Sequence, residues 1–62
     1  MTYFSVFEYE PIDEPWAHEE VVFQSETLRD CVEYMDRNGI RAYRLGYRFQ
    51  IVENEGELDE RE

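Results

Sequence analysis

"TLRDCVEYMDRNGIRAYRLGYRFQIV", residues 27–52, carries two periodicities in one run, and the point where the first yields to the second decides the fold. Leu28, Cys31, Val32 and Met35 fall at i, i+3, i+4 and i+7, one apolar helical stripe, while Arg29, Asp30, Glu33, Asp36 and Arg37 take the outer face. Thr27 followed by Asp30 three residues later is a variant of the capping box, with Ser25 as a competing N-cap. Asn38-Gly39-Ile40 then predicts a stop: Gly39 can take the left-handed conformation after a helix, and Ile40 can fold back on the stripe. The helix is therefore expected over 27–38. From Arg41 to Val52 the period becomes two, with Tyr43, Leu45, Tyr47, Phe49 and Ile51 on one face and Ala42, Arg44, Gly46, Arg48 and Gln50 on the other. This predicts one long strand with Gly46 as a bulge or close-approach point; a hairpin turning at Leu45-Gly46-Tyr47 is the competing reading.

Upstream, Tyr3-Phe4-Ser5-Val6-Phe7-Glu8-Tyr9 is aromatic and β-branched and stops before Pro11, which predicts a strand with apolar residues on both faces. Glu20-Val21-Val22-Phe23-Gln24 predicts a second, pairing with the first as an antiparallel hairpin. The order strand, strand, helix, strand gives an α+β domain: a ββαβ chain whose three-stranded, largely antiparallel sheet has one helix packed on one face. A single compact domain is expected over 1–53, with an acidic loop at 10–19 and an acidic, disordered tail at 54–62. A chain of 62 residues leaves no room for a second domain or a deep, walled active site.

Charge is segregated along the chain. Residues 1–28 carry seven carboxylates and no Lys or Arg, residues 29–52 carry five arginines against three carboxylates, and residues 53–62 carry six carboxylates and Arg61. The formal net charge of -10 opposes direct binding to nucleic acid and favours a partner with a basic surface. The competing account of the acidity is coding bias or salt adaptation, consistent with six basic residues that are all arginine.

Catalytic sets are missing from the pattern. His18 is the only histidine and is expected to be a solvated loop residue; Cys31 lies on the apolar stripe, where cysteine acts as a small hydrophobe; the three glycines are isolated. No enzyme activity, cofactor or metal is expected. One cysteine excludes an intramolecular disulfide, and neither a signal-peptide pattern nor a run of 18 apolar residues is present, so the expectation is a cytoplasmic protein without membrane contact.

What remains is surface. Trp16 stands in the loop between Pro15 and Ala17; its default reading is a cap on one end of the small core, and its alternative an interface anchor. The residues expected to meet a partner are Glu8, Glu10, Asp13, Glu14, Trp16, Glu19 and Glu20, with Arg44 and Arg48 on the sheet face opposite the helix. A second expectation is self-association, as a homodimer, through that open face, with Phe4 and Val6 contributing.

The element order, with "VVFQSETLRDCVEYMD" followed by an amphipathic strand, resembles small phage-encoded host-takeover proteins, most nearly the bacteriophage T7 inhibitor of bacterial RNA polymerase. The resemblance covers residues 3–52 and carries over no site residue. It implies a non-enzymatic inhibitor that occupies a basic, nucleic-acid-facing surface of a host protein through an acidic, arginine-containing surface of its own.

Overall fold

A computed structural model describes residues 1–58; the last part of the expected acidic tail, 59–62, lies outside the described residues. The elements are β1 (Thr2–Tyr9), β2 (Glu19–Ser25), α1 (Leu28–Arg44) and β3 (Arg48–Glu55). The sheet order is β2-β1-β3, with both pairs antiparallel, so the ββαβ architecture read from the sequence holds. Among the described residues no helix is long and apolar enough to cross a membrane.

Two boundaries differ from the sequence reading. The helix does not stop at Gly39 but continues through it to Arg44, and the third strand starts only at Arg48. The reason lies in the topology. Because β2 and β3 both run antiparallel to the central β1, they are parallel to each other, and α1 must return the chain along the full length of the sheet. An eight-residue strand is about 26 Å long, and a helix needs about 17 residues to match it, against about 18 Å for the expected twelve.

Local chemistry permits the longer helix. Ala42, only 2% exposed, extends the inward line of buried Cys31 and half-buried Met35 by two more turns, whereas Leu28 and Val32, expected on the same stripe, are each 48% exposed. The Asn38 side chain donates to the Tyr34 carbonyl one turn back, and Gly39 has neither a positive φ nor any atom near the place a Cβ would take. The stop signal is instead Leu45-Gly46-Tyr47. Leu45 caps the helix, Gly46 takes φ 83°, the Tyr47 N–H donates to the Ala42 carbonyl (2.9 Å) and the Gly46 N–H to the Tyr43 carbonyl (3.0 Å). This pair of bonds is a Schellman motif. Tyr43 and Leu45, expected on a core-facing strand, are 73% and 53% exposed.

At the other end the cap is as expected. The Thr27 hydroxyl accepts from the Asp30 N–H, and Ser25 serves as a brace whose Oγ accepts from the Thr27 N–H and donates to the Asp30 carboxylate. Asp30 in the first turn and Arg41 and Arg44 in the last complement the helix dipole.

The helix covers the face of the sheet that carries Phe4, Val6 and Glu8. Val6 is fully buried between Phe23 and Ile51 in the cross-strand register, the Cys31 thiol approaches the Phe4 carbonyl, and Tyr34 stacks on Phe23 and meets Phe49 edge-on. Burial raises the Cys31 thiol pKa above its ordinary value, with the Asp30 charge adding to the effect. The open face therefore carries the odd residues of β1, Tyr3, Ser5, Phe7 and Tyr9, and not Phe4 and Val6 as expected. Its centre is polar: Gln24 from β2 and Asn54 from β3 both donate to the Ser5 hydroxyl. Asn54 and Glu55 belong to β3, and the Gly56 N–H donates to the Met1 carbonyl (2.7 Å), so ordered chain extends beyond the expected boundary at 53.

The two glycines that competed for the helix end give a direct test. Gly39→Ala should stabilise the protein by about 0.5–1 kcal/mol by removing a glycine from a helix interior. Gly46→Ala should destabilise it by about 1–2 kcal/mol, because a Cβ is strained at that φ. Urea unfolding followed by circular dichroism measures both, and the opposite order of stabilities would place the helix end at Gly39.

Candidate functional site

The acidic loop is ordered by its own backbone. The Glu10 N–H donates to the His18 carbonyl (2.8 Å), which carries the β1–β2 ladder one pair beyond the strands, and the His18 N–H returns a bond to the Glu10 carboxylate (3.1 Å). Within the loop, the Ile12 N–H donates to the Glu10 carbonyl and the Ala17 N–H to the Glu14 carbonyl. Glu14-Pro15-Trp16-Ala17 is thus a closed β-turn, and since Trp16 does not have a positive φ, it belongs to type I, with Pro15 where its ring pre-sets the backbone. Trp16 occupies the corner and is 73% exposed. The default expectation, that it caps the core, is corrected: the ring at the corner of the turn faces solvent.

The base of the loop is built differently. Glu8 lies on the central strand, facing the helix, and is only 3% exposed. Its carboxylate is therefore not a surface group, which corrects its place among the expected partner contacts. His18, expected to be solvated, donates from Nε2 to Glu8 Oε1 at 2.8 Å, with its ring stacked on Tyr47 at 4.2 Å between centroids. Arg41 of the helix brings Nη2 to 3.9 Å from Glu8 Oε2, an ion pair too long for a hydrogen bond, and Oε2 is left without a hydrogen-bond partner.

A bulge between Val6 and Phe7 completes this arrangement. Val6 pairs with Phe23, but Phe7 pairs with Val21, so Val22 is the extra residue on β2. Without it Glu8 would face Val21. With it Glu8 faces Glu20, and Val21 moves to the open face, where it is 51% exposed.

Of the remaining expected contacts, Asp13, Glu14, Glu19 and Glu20 are exposed, and Glu10 is half-buried because its carboxylate serves the loop. Arg44 lies in the exposed last turn of the helix instead of on the sheet, and Arg48 opens β3 with its guanidinium 5.9 Å from the centroid of the exposed Tyr43 ring. The structure thus groups the loop acids with Trp16 and sets the two arginines at the helix-to-β3 junction. No protein-family model, curated protein or solved structure matches this chain.

The Glu8–His18 bond should be energetically coupled to both partners. Glu8→Gln should cost about 1–3 kcal/mol, the usual loss for a buried charge-assisted hydrogen bond. His18→Gln should cost much less in the Glu8→Gln background than in the wild type. Urea titrations of the four proteins give the coupling energy, and additive losses would show that the bond contributes nothing of its own.

Proposed function

We propose that this chain is a non-enzymatic, acidic protein-binding module, of the phage or mobile-element inhibitor kind, that occupies a basic, nucleic-acid-facing surface of another protein. The observation that carries the reading is Trp16: a 73% exposed indole at the corner of a hydrogen-bonded turn, next to Asp13 and Glu14. Tryptophan contributes most to binding when a partner desolvates it, and a preformed loop loses little entropy on docking. The six carboxylates of residues 8–20 have no Lys or Arg among them, and the five that are not buried supply a negative field that attracts a basic partner.

Trp16→Ala should weaken the complex by about 2 kcal/mol or more, the range of an interface hot spot, while the melting temperature stays unchanged. Pulldown at 0.1 M and 1 M salt separates electrostatic docking from other modes. Loss of partner at high salt supports the reading; the same partners at both salt concentrations contradict it.

The open sheet face favours a second reading, self-association as a structural or assembly protein. Tyr3, Phe7 and Tyr9 line one strand there, with Phe7 and Tyr9 stacked and Val21 and Val52 exposed beside them. Two chains of net charge -10 repel each other, so such a dimer would strengthen with salt where the foreign complex weakens. Sedimentation across the same salt range distinguishes the two.

A further inference from the structure

Glu8, His18 and Glu20 are far from adjacent in meaning along the sequence, yet the sheet places them together. The ladder continues past β2 to His18, so His18 and Glu20 stand two residues apart on one face, with Glu8 directly across from Glu20. One imidazole nitrogen and one oxygen from each carboxylate all lie within 4.8 Å of one another. We propose that Glu8, His18 and Glu20 form a binding site for a divalent first-row transition metal, with Zn²⁺ the ion that fits best.

Two features of the site favour a cation there, although Arg41 already lies 3.9 Å from Glu8 Oε2 as a long ion pair. The first is Glu8 Oε2, a buried carboxylate oxygen without a hydrogen-bond partner on a residue 3% exposed; buried polar atoms are nearly always paired. The second is the bulge, which turns an apolar neighbour away and sets a second carboxylate opposite Glu8. Like charges directly across a strand pair are destabilising, and a cation between them reverses the sign. A bulge used to re-aim a side chain is common beside functional sites.

The donor set selects the ion. One imidazole with two carboxylates suits Zn²⁺, which takes three protein ligands and keeps a fourth position for water, whereas Mg²⁺ and Ca²⁺ want more oxygens. Zn²⁺ also precedes Mn²⁺ in intrinsic affinity for a mixed nitrogen and oxygen site. Ligand atoms at about 2.0–2.2 Å from zinc stand roughly 3.3–3.6 Å apart in a tetrahedron, so exposed Glu20 has only to close a short distance. His18 Nε2 now donates its hydrogen to Glu8 Oε1; coordination moves that hydrogen to Nδ1 and frees Nε2 as a ligand, and Glu8 offers the ion Oε2, which has no hydrogen bond to lose. Arg41 lies closest to the site as a competing cation, but its side chain is 56% exposed and can withdraw to solvent. Since Glu8 and His18 flank the loop, the ion would fasten the base on which the Trp16 turn stands. This inference is independent of the partner reading.

Calorimetric titration of the full chain with ZnCl₂ in a non-coordinating buffer tests it. The expected result is one saturable Zn²⁺ per chain and a melting temperature raised by roughly 20 °C at a hundredfold excess over Kd. Glu20→Gln, at an exposed position, should weaken binding at least about tenfold, since even loss of a group that only supports a metal ligand costs about 10–100-fold. Arg41→Gln should strengthen it, and the Asp13→Asn/Glu14→Gln double variant should leave it unchanged. Absence of saturable binding at millimolar Zn²⁺, or equal binding by the Glu20→Gln variant, would overturn the proposal.

Discussion

The buried carboxylate of Glu8 is the constraint around which this small protein is organised. It sits on the central strand, where both lateral neighbours are strands and the face above is helix, so it cannot reach bulk water. An ionised group in such a place costs several kcal/mol unless partners compensate for its lost hydration. Those partners come from two separate parts of the chain: His18 at the end of the loop, its ring stacked on Tyr47, and Arg41 in the last turns of the helix. A core with Val6, Cys31 and Ala42 as its buried apolar residues is small, and the polar cluster joins the loop, the sheet and the C-terminal half of the helix beside it.

The second constraint is one of length. A central strand paired antiparallel on both sides forces the outer strands to be parallel, and the only connection between them is the helix. Helix length is then set by strand length, whatever local stop signals the sequence contains. Asn38-Gly39 is overridden because Ala42 still has core to meet and Gly46 can end the helix one sheet-length away.

This explains how much was legible in the sequence. Element order and type, the Thr27 cap and the acidic loop follow from local patterns, and local patterns are what a sequence displays directly; of the expected stripe, Cys31 and Met35 turn inward while Leu28 and Val32 are each 48% exposed. The helix end was not legible, since the alternation of Tyr43, Leu45 and Tyr47 mimics a strand, and only the parallel relation of β2 and β3 rules it out. At the site, the carboxylates and Trp16 were visible, but their directions were not. The burial of Glu8 is not legible because both faces of β1 carry apolar residues, so alternation alone does not say which one meets the helix, and the bulge at Val22 that brings Glu20 opposite Glu8 has no signal in the sequence. The one available signal was spacing: Glu8 and Glu10 on one strand, and His18 and Glu20 on the next, each two residues apart and so sharing a face.

If Glu8 holds the loop, the loop's amides should report it. Amide hydrogen exchange, read residue by residue in the wild type and in Glu8→Gln, measures this most directly. The account predicts that Glu10, Ile12 and Ala17 are protected in the wild type and lose that protection in the variant, while Val6 and Ile51 at the sheet centre keep theirs. Loop amides that exchange freely in the wild type, or that remain equally protected in Glu8→Gln, would contradict it.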